Sequence, residues 1–545
     1  MKVLIIGGVA GGASAAARLR RLKEDVEIVM FERGDYISFA NCGLPYYIGG
    51  SINERKKLLV QTPAGMGKRF NMDIRTNSEV VKIKPEEKIV EVKNGKTGES
   101  YEEFYDYLIL SPGANPVKPP IPGIDQDNIF SLRSLDDTDR IKAHIQTSHP
   151  QKGVVIGGGF IGLEMAENMA DAGMEVTLVE AANQVMAPLD FEMAAIVHKH
   201  LREKGVKLFL NNSVKSLENS KVTLADGTQR DFDLAILAIG VQPESNLAKE
   251  AGLKLGNRGA VIVDSYLRTS NPYIYAVGDV IQVQDFVTKT DTYVPLAGPA
   301  NRQGRIAANN IAGYMEAYKG TQGTSIAKVF DLTVATTGVN EKTLQILGIP
   351  YQVSITNNAS HAGYYPGAVP MNVKLIFNER AEILGAQIVG VKGVDKRIDV
   401  LATAIRAGMT VYQLEDLELA YAPPYSSAKD PVNMAGFVAS NILKGDVDVI
   451  HWHELHQVKN DPELFLLDVR TDKEYKDGRI EEALHIPIDQ LRGKIDLIPK
   501  DKEILIICQT GLRSYIAARI LNQRGYRTKN LSGGFNIYEK ATSES

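Results

Sequence analysis

Cysteine and tryptophan are scarce in this chain of 545 residues, which holds two cysteines, Cys42 and Cys508, and one tryptophan. Two thiols so far apart and in unlike contexts exclude a disulfide-stapled secreted scaffold and agree with a reducing cytoplasm. Long apolar runs are also missing: no stretch approaches the ~20 residues of a membrane span. The apolar opening, Met1-Lys2-Val3-Leu4-Ile5-Ile6-Gly7, gives way to glycine after four residues, and Arg18, Arg20, Arg21 and Lys23 follow, so it does not read as a signal peptide. No Lys/Arg tract or basic-aromatic stripe occurs, and 62 basic against 66 acidic residues leave a net charge of −4, which argues against a nucleic-acid partner. No metal-ligand cluster is read. The remaining composition, 44% hydrophobic and 23% charged, is that of an ordinary soluble protein with room for three or four domains of ~150 residues. A cytoplasmic protein without membrane association is expected.

Glycine, by contrast, is patterned. Val3–Glu32 and Val154–Glu180 both run apolar strand, glycine turn, small-residue helix, apolar strand and terminal glutamate. The second copy, Gly157-Gly158-Gly159-Phe160-Ile161-Gly162, has the complete G-x-G-x-x-G. Its first glycine allows the tight turn, its second lets backbone approach a pyrophosphate, and its third lets helix pack on strand. The helix N-terminus then turns its positive dipole end to the phosphates. In the first copy Val9 replaces the middle glycine, while Gly7 and Gly12 are in place. One fingerprint is a weak signal; two in one chain, each with a carboxylate about 20 residues on, predict two dinucleotide pockets. Glu180 suits a ribose diol and repels a 2′-phosphate, which favours NADH over NADPH at the second.

Strands running into tight turns are predicted in Leu108–Ala114 and Leu234–Gly240, and a further strand from Tyr273. The last runs into Gly278-Asp279, where the carboxylate suits the ribityl chain of a flavin or, equally, caps a helix. Ala300–Ile311 reads as a helix. From Val329 to Phe437 the strands Val373–Phe377 and Ile383–Val391 and the helix Lys396–Ala407 predict an α+β domain, followed by a patternless linker and a small α/β unit.

Cys42 lies in Ser38-Phe39-Ala40-Asn41-Cys42-Gly43-Leu44-Pro45-Tyr46-Tyr47, just beyond the first pocket, where a flavin ring could reach it. A flavin enzyme with its own redox dithiol carries a second cysteine about one helical turn on; Tyr47 stands there instead. One thiol cannot close an internal disulfide, so the partner sulfur must arrive with the substrate or with another thiol. On the preceding helix Ser14, Arg18 and Arg21 form one stripe, either a solvated basic face or a contact for phosphates. In the tail, Ile504–Cys508 is a strand that opens into Gln509-Thr510-Gly511-Leu512-Arg513-Ser514 and then a helix. Amides at the helix N-terminus and the charge of Arg513 would cradle a persulfide anion on Cys508.

These motifs carry a resemblance. Residues 1 to about 440 resemble the flavin-dependent pyridine nucleotide–disulfide reductase superfamily, and within it the single-cysteine coenzyme A-disulfide reductases. The most specific segments are Ser38–Tyr47 and Tyr421-Ala422-Pro423-Pro424-Tyr425-Ser426-Ser427-Ala428-Lys429-Asp430-Pro431. The tail, with Leu531-Ser532-Gly533-Gly534-Phe535, resembles a rhodanese domain. Four residues between Cys508 and Arg513 make a tighter ring than the C-x5-R loop of phosphatases.

The resemblance implies an α/β chain with two Rossmann-like nucleotide-binding domains for FAD and NADH, an α+β dimerisation domain and a rhodanese-like α/β domain. The expected boundaries are 1–115 for the first part of the FAD domain, 116–150 for a connection and 151–265 for the NADH domain. Residues 266–325 return to the FAD domain, 326–438 form the interface domain, 439–452 the linker and 453–545 the rhodanese-like domain. FAD would lie against Gly7, Gly12, Glu32 and Asp279, and NADH against Gly157, Gly159, Gly162 and Glu180. Coenzyme A would meet Ser14, Arg18, Arg21, Ser38, Asn41, Asn301 and Lys429. Cys42, held as a thiolate by its surroundings and by the flavin, would attack CoA disulfide, CoA persulfide or polysulfide. Tyr364 and Tyr421, with Tyr365 and Tyr425 as neighbouring competitors, would donate protons across a homodimer interface. Cys508 and Arg513 would carry sulfane sulfur. Related peroxide- and oxygen-reducing enzymes have a histidine where this chain has Ala10, which argues against peroxidase chemistry. A sulfur-relay protein with a redox-sensing flavin module, or an NADH oxidase, are the rival readings.

Overall fold

The computed structural model describes residues 1–459 and 461–545. The chain forms two compact units, one of Met1–Ala181 with Asn212–Gly323, the other of Ala182–Asn211 with Thr324–Ser545.

The first unit is built on two parallel sheets. In one, Lys2–Ile6 lies between Glu27–Phe31 and Tyr107–Leu110, with Ile274–Ala276 and Asp73–Arg75 at the edges. The central strands are apolar after their first residue because both faces are covered, and Val3, Leu4, Ile5, Leu108 and Ile109 are fully buried. In the other, Lys152–Ile156 pairs with Glu175–Val179 and Leu234–Leu237, and Ile129–Ser131 follows. The helices Ala10–Leu22 and Ala297–Ile311 cross so closely that a Cβ on Gly304 would fall 2.2 Å from the Gly11 carbonyl oxygen.

The second unit contains a five-stranded antiparallel sheet in the order Ser325–Val329, Leu332–Gly338, Ile383–Gly390, Pro370–Phe377, Gln352–Ala359. The helices Val394–Ala407 and Pro431–Leu443 pack on it. The predicted strands and helix of this region are thus present, with ends shifted by a few residues. The C-terminal parallel sheet has the order Asp448–Ile450, Arg527–Leu531, Glu503–Ile507, Leu464–Asp468, Leu484–His485.

Two sequence expectations change. Residues 439–452 are not a patternless linker: they hold the end of the helix Pro431–Leu443 and the edge strand Asp448–Ile450, which is too short to show periodicity and is ordered by pairing with Lys529–Leu531. The segment 182–211, inside the expected 151–265, belongs with the second unit. Lys374, fully buried on Pro370–Phe377, explains why. Its ammonium forms ion pairs with Asp190 at 2.9 Å and with Glu192 and Glu341, all on short connections or first helical turns. The Trp452 indole donates to Glu192 at 3.4 Å and the Gln387 amide to Asp190 at 2.6 Å. The last helix, Gly534–Glu544, packs on Phe191–Glu203, where Glu544 pairs with Arg202.

Candidate functional site

Both glycine cradles have the geometry their motifs require. Gly7 and Gly157 sit at φ +96° and +104°, a region costly for any side chain. A Cβ on Gly12 would fall 1.9 Å from the Gly7 carbonyl oxygen, and one on Gly162 equally close to that of Gly157. Nothing lies within 4 Å of the Cβ position of Gly159, so that helix N-terminus is open for a pyrophosphate. Glu32 accepts from the Gly8 and Gly34 amides, each at 3.0 Å, and Glu180 accepts from Gly158 at 2.7 Å. Each carboxylate therefore stands at the mouth of its cradle, where ribose hydroxyls would arrive. Asp279 caps no helix, since the next one begins at Ala297. Its carboxyl is pushed up to about 6 by burial, against the pull of Arg133, and it carries no protein hydrogen bond among the described residues. A desolvated acceptor of this kind suits the hydroxyls of a ribityl chain. The residues present thus fit FAD and a nicotinamide dinucleotide.

Cys42 sits in a 3₁₀ turn, Asn41–Gly43, that leads directly into the helix Leu44–Ile48. It is an exposed free thiol. The expectation that its surroundings favour the thiolate does not hold for the protein groups. Solvent reaches one side of the residue while packed atoms desolvate the other, and desolvation, then Glu164 and Asp279, pushes the thiol up. Both acting charges are carboxylates, and they come from segments far from Cys42 in the chain, so spacing carried no trace of them.

Of the residues assigned to coenzyme A, four lie on the crossing helices of the first unit, Ser14, Arg18 and Arg21 on one and Asn301 on the other. The Ser14 hydroxyl donates to Asn301 Oδ1 at 2.5 Å, and Arg18 Nε donates to Asn309 at 2.7 Å. Arg21 on the same stripe is exposed, as is Asn41. Ser38 is half-buried at φ +45°, its amide donating to the Gly8 carbonyl at 2.8 Å, which ties the cysteine segment to the first glycine turn. Lys429 lies in the second unit, exposed, beside the helix cap Asp430.

The structure brings together Tyr364 and Tyr421, whose hydroxyls are 2.7 Å apart, and leaves Tyr365 and Tyr425 out of that pair. Tyr365 instead meets His361 edge-on at 5.7 Å. The hydrogen bond holds the Tyr364 phenol above its usual range, and at 76% exposure this side chain has little packing of its own. Tyr364→Phe is expected to lower turnover of CoA disulfide about 10- to 100-fold, with Tyr421→Phe adding less than its separate effect because the hydroxyls act as a pair. Steady-state kinetics of the single and double variants check this.

Cys508 directly follows the strand Glu503–Ile507 and is fully buried. Its sulfur accepts from the Gly511 amide at 3.0 Å and from the Ser514 hydroxyl at 3.2 Å. Asn530 Oδ1 accepts from the same hydroxyl at 2.5 Å. Arg513, expected to lend its charge to the sulfur, interacts electrostatically with Cys508 and also with a carboxylate. Its guanidinium forms a two-pronged pair with Glu474 at 2.7 and 2.6 Å, which pulls that carboxyl down to about 2. That carboxylate therefore shares the guanidinium with the sulfur. Glu474 was missed because only the fold brings it within reach, 39 residues away in the chain.

A double glycine cradle with a lone thiol beside it, followed by an antiparallel interface sheet, defines a flavin-dependent dinucleotide oxidoreductase with a sulfur-handling tail. The family model for pyridine nucleotide-disulphide oxidoreductases matches residues 1–304, its dimerisation domain matches 324–431, and the rhodanese-like domain matches 451–541. The chain belongs to the pyridine nucleotide-disulphide oxidoreductase family, which implies FAD and NAD(P)H. It is similar to reduced CoADR-RHD of Bacillus anthracis, with 58% identity and a TM-score of 0.98 over 100% of this chain and 98% of that one. It is also similar to an NAD-dependent persulfide reductase from A. fulgidus, with 41% identity and a TM-score of 0.93 over 99% and 100% of the two chains. The coenzyme A disulfide reductase of Staphylococcus haemolyticus is 39% identical over 81% of this chain and all of its own length.

Proposed function

We propose that this protein is an NADH-driven reductase of CoA disulfide and CoA persulfide, with Cys42 as the nucleophile and Cys508 as a carrier of sulfane sulfur. The observation that carries this reading is the exposed thiol of Cys42 beyond the first cradle, in a chain whose one other cysteine is buried in the tail. The Cys42 thiolate attacks one sulfur of CoA–S–S–CoA, forming Cys42–S–S–CoA and releasing one CoA thiolate. With CoA–S–SH, attack at the CoA-bound sulfur forms the same mixed disulfide and releases HS⁻. Bound FAD supplies the path by which two electrons from NADH cleave that disulfide. Cys42 then returns to the thiolate and the second CoA leaves. Tyr364 and Tyr421 supply the proton a departing thiolate takes up. The dimerisation-domain match supports a homodimer, in which this pair would serve the partner's Cys42.

Ser14, Arg18, Arg21, Ser38, Asn41, Asn301 and Lys429 would hold coenzyme A by its phosphates and pantetheine amides. Glu180, at the mouth of the second cradle, favours NADH because a 2′-phosphate there would face a carboxylate. We place the protein in a reducing cytoplasm, in keeping with two free thiols.

The test is an anaerobic assay of NADH oxidation and sulfide release with CoA disulfide, CoA persulfide and polysulfide. Cys508→Ser is expected to leave CoA disulfide reduction within about twofold of the parent, while sulfide formation from thiosulfate or polysulfide falls at least about tenfold. If Cys508→Ser releases sulfide from every donor as the parent does, the tail plays no part in the reaction.

A further inference from the structure

Two guanidiniums stand at the Cys508 loop, and each is met by a carboxylate. Arg470 is buried, pairs with Asp468 at 2.7 Å, reaches Gln509 Oε1 at 3.3 Å and lies 4.0 Å over the Phe535 ring. Arg513, half-buried, pairs with Glu474 through both terminal nitrogens. Glu474 is itself anchored: one of its oxygens accepts from the Thr471 amide at 2.9 Å and from the Thr471 hydroxyl at 2.8 Å, at the start of the helix Asp472–Asp477. Behind the loop, the Phe535 amide donates to the Cys508 carbonyl at 2.8 Å and the Asn536 amide to that of Gln509 at 3.1 Å. A Cβ on Gly534 would fall 2.5 Å from the Cys508 carbonyl oxygen, so backbone closes that side. Leu512 in the loop and Ile516, one helical turn on, are exposed. The open part of the loop thus offers apolar side chains and a guanidinium that already has a counter-ion.

Before the sulfur is counted, these two pairs cancel. What remains for an anion is the Gly511 amide, 3.0 Å from the sulfur, and the start of the helix Leu512–Asn522, whose dipole is worth about half a charge. That suits the single negative charge of a persulfide. It does not suit a dianion approaching a thiolate. We propose that Glu474 is a specificity-determining residue of the tail: by sharing Arg513 with the sulfur it disfavours doubly charged inorganic donors such as thiosulfate, and leaves the loop to sulfane sulfur carried on an alkyl group with at most one negative charge. The carboxyl stays ionised at neutral pH, since its bonds to Arg513 hold it down to about 2. The inference rests on Cys508 being a carrier of sulfane sulfur.

The transfer balances with either kind of donor. With an alkyl persulfide R–S–SH the Cys508 thiolate attacks the outer sulfur, forming Cys508–S–SH, and R–S⁻ leaves with the bonding pair of the broken S–S bond. With thiosulfate the same attack forms Cys508–S–S⁻ and sulfite leaves. Neither step takes up an outside oxidant or reductant. The difference is the charge brought together: thiolate and thiosulfate gather three negative charges at a loop whose guanidinium is already paired.

The test compares thiosulfate with methanethiosulfonate, donors of similar size that carry two negative charges and one. Full-length holoenzyme with free thiols and no NADH is mixed with each, and persulfide on Cys508 is followed by alkylation and peptide mass spectrometry, with Cys508→Ser as the blank. Glu474→Gln is expected to raise the efficiency of thiosulfate about tenfold and that of methanethiosulfonate about threefold, through half-saturation rather than maximal rate. The gain should fade as salt is raised. A ratio between the donors that stays put in Glu474→Gln, including a loss shared equally by both, overturns the inference. Should that variant not fold, the parent decides. Half-saturation by thiosulfate that changes little with salt supports a matched guanidinium, and one that climbs steeply marks an unmatched charge and overturns the inference. Persulfide on Cys508 from neither donor would instead sink the carrier reading itself.

Discussion

Cys42→Ser is expected to lower NADH-dependent reduction of CoA disulfide by at least about a thousandfold while leaving reduction of the bound flavin by NADH intact. A serine hydroxyl of the same size cannot exchange with a disulfide, and the chain's one other thiol is buried. Cys508 is buried in its own loop with donors on its sulfur. Rapid mixing with NADH should still bleach the flavin in this variant, after which CoA disulfide should fail to restore its colour. If the variant kept a tenth of the parent's turnover, a thiol would not be the acceptor and the mixed disulfide would be wrong. Fast oxygen consumption indifferent to CoA compounds would favour the NADH oxidase reading.

The largest effect on stability is expected at Lys374. Its ammonium is fully buried and is the cation shared by Asp190, Glu192 and Glu341. Those carboxylates raise the lysine well above its ordinary range in spite of the desolvation that lowers it. Lys374→Met fills similar space but leaves three acids in a low-dielectric interior without their counter-charge. Breaking a buried ion pair in this way costs about 3–5 kcal/mol, readable as a lower urea midpoint. The sign with pH follows from the acids. At Glu192 burial raises the carboxyl and Lys374 lowers it, so without the ammonium burial is left to act, the folded variant binds an extra proton and it regains stability as pH falls. A loss that is the same at every pH would mean that only packing was removed, and a loss below about 1 kcal/mol would mean the cluster is not a node of the unit.

How much could be read before any coordinates depended on how local the physics is. Gly7, Gly12, Gly157 and Gly162 were legible because positive φ and backbone contacts below van der Waals distance admit no other residue. The single-thiol chemistry was legible from Tyr47 standing where a second cysteine would be. The strand Asp448–Ile450 was not, since three residues have no periodicity and its order comes from a neighbouring strand. The resemblance pointed to Tyr364 and Tyr421 but left Tyr365 and Tyr425 open, because the paired hydroxyls are 57 positions apart and adjacent tyrosines are alike in composition.

The chain's own residues therefore determined which cradles it builds, which sulfur can react and which tail follows, all of them properties of residue type and near spacing. Tertiary structure decided the charge around each reactive group. It set two carboxylates against Cys42, gave Arg513 to Glu474, and bound the segment 182–211 to Lys374. Electrostatic environment is a sum over neighbours in space, and folding chooses those neighbours from distant parts of the chain.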